Sequence, residues 1–102
     1  MANDAVLIAR VRDLAAPELV EKNVFGARCW VLDSNMAYGV HDDDLLVRLG
    51  PDAAGLTGFD PMGSGKPMKG WFLIGQDALA EDDELAAWLG RAHAFAATLP
   101  PK

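Results

Sequence analysis

The chain holds a single cysteine, Cys29, among 102 residues. An internal disulfide is therefore excluded, and a reducing cytosol is the simplest setting for the protein. Long apolar runs are missing too: none approaches the roughly 20 residues that a membrane span requires. The opening Met1-Ala2-Asn3-Asp4-Ala5 lacks the basic flank and extended apolar run of a secretory signal. Basic residues are scarce, with 9 Lys and Arg against 15 Asp and Glu, for a net charge of −6. The imbalance recurs along the chain, with three basic against four acidic residues up to Asn23, four against six from Val24 to Ile74, and two against five from Gly75 onward. No segment is a basic stripe, so direct DNA binding by phosphate neutralisation is not expected. Internal repeats and low-complexity tracts are absent as well.

What remains is ordinary for a globular chain: 51% hydrophobic and 24% charged residues. That length accommodates one core, so residues 1–102 are expected to form one domain. Residues 4–15 read as a helix, because Leu7, Val11 and Leu14 recur at helical spacing, Asn3 or Asp4 can cap it, and Pro17 cannot continue it. From residue 24 valines, aromatics and glycines replace the helix formers. The pattern predicts strands over 24–32, 36–41 and 45–50, with turns at Ser34-Asn35 and Asp42-Asp43-Asp44. A long connection over 51–69 follows, in which 52–56 suits one helical turn and 59–62 a short strand. A last strand is expected over 70–74 and a capped turn at Asp77. A second helix is expected over 82–98, carrying the apolar stripe Leu85, Trp88, Leu89, Ala92, Phe95, Ala96 and Leu99 and stopped by Pro100-Pro101. The sum is an α+β two-layer sandwich, an antiparallel sheet of about five strands with both helices on one face. Three tryptophans and four phenylalanines supply mostly core, and any that stay uncovered on the sheet mark a partner or dimer surface.

The run Gly63-Ser64-Gly65-Lys66-Pro67-Met68-Lys69-Gly70-Trp71 is the most distinctive stretch. Glycines at both ends and Pro67 between two lysines describe a stiff basic arch that leads into an apolar strand. It is not a phosphate loop: Asp60 stands where that motif needs its first glycine, and Pro67 replaces the hydroxyl residue. Arg28, Arg48, Lys66 and Lys69, with Trp71, are the candidate residues for holding an anion or an acidic partner; as plain surface charges they would do nothing of the kind. Cys29 with His41 or His93 as base would make a thiol enzyme, but a cysteine between Arg28 and Trp30 in a strand reads better as a small packing residue. His41-Asp42-Asp43-Asp44 reads as a polar turn rather than a metal site, because no second ligand cluster is spaced to complete it. Neither a metal nor a cofactor is expected.

Four segments in order carry a family resemblance: Val24-Phe25-Gly26-Ala27; Asp33-Ser34-Asn35-Met36-Ala37-Tyr38-Gly39-Val40; Leu45-Leu46-Val47-Arg48-Leu49-Gly50-Pro51; and Lys66-Pro67-Met68-Lys69-Gly70-Trp71. Together with the final helix they resemble the TfoX/Sxy N-terminal domain family, over nearly the whole chain. That family takes its name from regulators of natural competence in bacteria. The resemblance implies a small α+β domain with an antiparallel sheet, without the second domain of full-length regulators, and it supplies no catalytic residues. The combined expectation is a non-enzymatic cytoplasmic regulatory or interaction module with a protein partner or a second copy as its ligand. The alternative is a small-ligand or anion-binding protein that uses the basic arch.

Overall fold

A computed structural model describes residues 3–24, 26–50, 56–60, 65–66 and 68–100. Helix α1 (Ala5–Leu14) starts where Asp4 turns its carboxylate onto the free amides of Val6 and Leu7. Its buried face is Leu7 and Val11. Six strands follow among the described residues: β1 (Val20–Val24), β2 (Ala27–Leu32), β3 (Asn35–His41), β4 (Asp44–Arg48), β5 (Thr57–Gly58) and β6 (Trp71–Ile74). They form one antiparallel sheet in the order β1-β2-β3-β4-β6-β5. Five are full strands and β5 is a two-residue addition at the edge. A 3-10 turn (Gln76–Ala78) then leads into α2 (Asp82–Ala97). Asp82, Asp83 and Glu84 occupy the first turn of α2, where acidic side chains complement the positive end of the helix dipole.

Both helices pack on the same face of the sheet. Leu7 and Val11 from α1, and Leu85, Leu89, Ala92 and Ala96 from α2, share one core with Trp30, Tyr38, Val40, Leu45, Val47 and Ile74. The α+β sandwich is therefore as expected. Among the described residues no helix is long and apolar enough to cross a membrane.

The strands differ from the sequence pattern in one main respect. Residues 24–32 do not form one strand: Val24 pairs with Ala27, so the chain reverses there and a further strand, β1, precedes β2. Gly26 makes the reversal possible with φ +77, a left-handed conformation that a side chain disfavours. Residues 20–23 escaped notice because β1 is an edge strand with mixed exposure, lacking the buried alternation of an inner strand. The turn predicted at Ser34-Asn35 sits one residue earlier. Asp33 and Ser34 are both left-handed, as the type I′ hairpin requires, and Asn35 starts β3. Asn35 is buried, and its side-chain amide donates to the Pro100 carbonyl at 2.9 Å, tying the end of the α2 segment to the sheet. The acidic turn is Asp42-Asp43 only, because Asp44 pairs with His41 inside the sheet. The expected strand over 59–62 is replaced by β5. Residues 61–62 of that expected strand, residues 52–55 of the helical turn expected over 52–56, Phe25 and Pro67 lie outside the described residues.

Asp44 is a half-buried carboxylate at a strand start. Burial raises its pKa, the negative Asp43 adds to the rise, and His41 opposes it. A carboxyl whose folded pKa lies above its unfolded value near 3.9 opposes folding once it is ionised. That penalty is present above the folded pKa and vanishes below the unfolded one. Asp44→Asn is therefore expected to melt higher than wild type at pH 7, with the gain closing as pH falls toward 4. Equal melting temperatures at pH 7 would remove Asp44 as a source of strain.

Candidate functional site

Alternation along the strands sorts the remaining residues onto the face that the helices leave uncovered. Ala27, Cys29, Leu46, Phe59 and Trp71 form a second apolar cluster there, with Val24, Met36, Met68 and Leu73 packed against it. Part of this face is roofed by the connection before β6. Phe59 is buried, its amide donates to the Trp71 carbonyl at 3.0 Å, and its carbonyl accepts from Met68 N–H at 2.7 Å. Gly65 turns with φ +81 while its amide donates to the Asp60 carboxylate at 2.7 Å.

Beside this roof the face opens into a groove of about 360 Å³. Its apolar walls are Val24, Val31, Met36, Met68 and Trp71, and its polar lining is Lys22, Ser34 and Arg48. Among the described residues no acidic side chain lines it. The Arg48 guanidinium lies 5.1 Å from the Trp71 ring centre and 5.9 Å from that of Phe95 on α2. A cation over an aromatic face is attracted by the ring's electron-rich face, and a guanidinium so placed keeps N–H groups with which it can bond a partner. Neither Arg48 nor Lys22 forms an ion pair among the described residues. Phe95 reaches this corner because Gly50, at φ +87, has no side chain: a Cβ there would lie 2.6 Å from the ring.

The five candidate residues from the sequence are divided by this geometry. Arg48 and Trp71 are opposite each other in register on β4 and β6 and both line the groove. Arg28 lies on the helix face, next in register to Val40, and pairs with Glu21 at 3.3 Å, the same carboxylate that Arg12 holds at 2.8 Å. Hydrogen bonding by Arg12 keeps the Glu21 pKa below the usual range. Lys66 and Lys69 are exposed and outside the groove lining, whereas Met68 between them is part of it. Sequence reasoning missed Lys22, Met36 and Met68. Lys22 belongs to the overlooked edge strand, and the two methionines reach the groove only through strand order and the folding back of the connection.

Cys29 is fully buried opposite Gly39. Burial pushes its thiol up to about 12, which leaves almost no thiolate at neutral pH. His41 shares its face, but the imidazole packs edge-on against Phe59 at 5.1 Å. His93 lies beyond the sheet on α2, 3.7 Å from Glu18, beside a smaller cavity of about 150 Å³ between the helices. Iodoacetamide is accordingly expected to leave native Cys29 unmodified at pH 7 and to label it after denaturation. Fast labelling of the folded protein would restore the thiol-enzyme reading. Among the described residues no group of three or more His, Cys, Asp or Glu is placed to hold a metal ion.

The family model of the TfoX N-terminal domain matches residues 13–96. No curated protein and no solved structure matches the chain.

Proposed function

The chain belongs to the TfoX N-terminal domain family, and on that premise we propose that it is a non-enzymatic, cytosolic regulatory module that binds a protein partner across the uncovered sheet face. Family membership makes it a competence-regulator-like domain, and the family is not known as one of enzymes. The groove beside Trp71 carries the reading. It is concave, mixes apolar walls with polar groups, and is bordered by two cations that no carboxylate among the described residues satisfies. Apolar walls with a few fixed polar groups are the usual make-up of a recognition site. Cys29, the residue an enzyme reading would need, supports the scaffold instead: its thiol is buried against β3.

A photo-crosslinking amino acid tests the assignment. Placed at Met36 in the groove, it should join the chain to a partner protein in cells. Placed at Ala87, exposed on the outer side of α2, it should not. Cross-links from Ala87 with none from Met36 would move the binding face to the helices and sink the proposal.

A further inference from the structure

We infer that the segment which occupies the groove is an extended acidic–apolar stretch, with carboxylates on either side of one apolar side chain. This rests on the groove being the binding face and names the chemistry of what fills it.

Charge is the first argument. A chain with net charge −6 and an acidic excess in every segment lines this groove with Lys22 and Arg48 and, among the described residues, with no acid. Each cation lacks an ion-pair partner among the described residues, so a carboxylate arriving there displaces no ion pair among them. Arg48 is the better receptor of the two. Its guanidinium carbon lies over the Trp71 and Phe95 rings, whose faces attract it, and a guanidinium can bind a carboxylate through two parallel N–H bonds.

Spacing is the second. Lys22 is in the same row across the sheet as Cys29, Gly39 and Leu46, and Arg48 is two residues beyond Leu46 on β4. Three strand intervals and one two-residue step place the backbones of Lys22 and Arg48 about 15 Å apart. In an extended chain residues i, i+2 and i+4 face one way, and the outer two are about 13 Å apart. Acids at i and i+4 therefore reach the two cations, and an apolar residue at i+2 falls on the middle of the groove. There Met36 and Met68 present flexible thioethers against Trp71, a surface that adapts to different aliphatic shapes.

A second copy is a poor occupant. Two of these faces packed together around a twofold axis would bring two sets of Lys22 and Arg48 into one interface with no acid among the described residues of either lining.

The experiment uses the full chain and a fluorescein-labelled heptapeptide with Glu at its second and sixth positions, Leu at the fourth, and Gly or Ser elsewhere. Anisotropy should report saturable binding that weakens as salt is added. Replacing both Glu by Gln should weaken it by at least about tenfold, the loss of hydrogen bonds to charged groups. Lys22→Ala should weaken it about two- to fivefold, as an exposed cation does. Arg48→Ala should nearly abolish binding, and Arg48→Lys, which keeps the charge and loses the fork, should fall between. Lys22 is exposed, so its variant stays folded even where Arg48→Ala does not. Equal binding of the Gln peptide would overturn the acidic assignment. Octanoate binding as tightly as the peptide would replace the segment by a small amphipathic anion and overturn it equally. No peptide binding while Met36 still cross-links a partner would defeat this inference and leave the proposed function standing; loss of both would defeat the two together.

Discussion

Gly39→Ala is expected to destabilise the protein by about 3 kcal/mol, in the upper part of the range for overpacked interiors. Gly39 is in β3, opposite Cys29 in β2. A Cβ at this position would lie 2.7 Å from the Arg28 carbonyl oxygen, 2.9 Å from Cys29 Sγ and 3.2 Å from Cys29 Cα. Two of those neighbours are backbone atoms of the paired strand, so they cannot turn aside; the ladder between β2 and β3 must open. That ladder lies inside the sheet, with β1 on one side and β4 on the other. For a domain of this size the loss corresponds to a fall in melting temperature of about 12 °C or more. Cys29→Ala in the same chain removes the sulfur contact but not the one to the Arg28 oxygen, so the double variant should recover only part of the loss. A Gly39→Ala protein that melts within a degree or two of wild type would show that the two strands are not held this closely.

Phe59→Ala is expected to cost about 3–5 kcal/mol, the usual range for deleting a large buried ring. Phe59 is 1% exposed and packs edge-on against His41 at 5.1 Å. Its main chain also bridges Trp71 and Met68, so the ring is held in place over the second apolar cluster. Removing it uncovers the face on which Cys29, Leu46 and Leu73 lie. Two readouts should therefore move together: the melting temperature falls, and Cys29 becomes reactive toward Ellman's reagent under native conditions. A lowered melting temperature with Cys29 still protected would mean that the roof over this face does not depend on Phe59.

Much of the architecture was legible because it follows from local chemistry. The capping carboxylate of Asp4 and the apolar repeat of Leu7 and Val11 specify α1 without reference to the rest of the chain. The stripe on α2 does the same, and Leu85, Leu89, Ala92 and Ala96 are buried as their spacing implied. Leu45 and Val47 face the helices while Leu46 faces the second cluster, the division that alternation requires. The resemblance to the TfoX N-terminal domain was carried by short motifs in order along the chain, and the family match over residues 13–96 agrees with it.

The groove was only half legible. Arg48 and Trp71 were among the five residues singled out, yet nothing local to either specifies that β4 pairs with β6 and sets them in register. Arg28 looked equivalent to Arg48, but it is turned to the helix face, where Glu21 holds it. Which face a strand residue takes depends on the strand's register with its neighbours, and a one-residue difference exchanges the two faces.

What the sequence determined by itself was therefore whatever depends on neighbours a few residues away: both helices, the inner strands β3 and β4, the turns beside Ser34 and at Asp42-Asp43, and the absence of an internal disulfide or a long apolar span. What the tertiary structure decided was which distant residues meet. It inserted β1 at the edge, folded Phe59 and Met68 back over the uncovered face, and brought Lys22 and Arg48 to one groove from strands three places apart in the sheet. Helical repeats and turns are short-range and written in consecutive residues. Strand order and the facing of charges are settled only when non-local pairing closes the sheet.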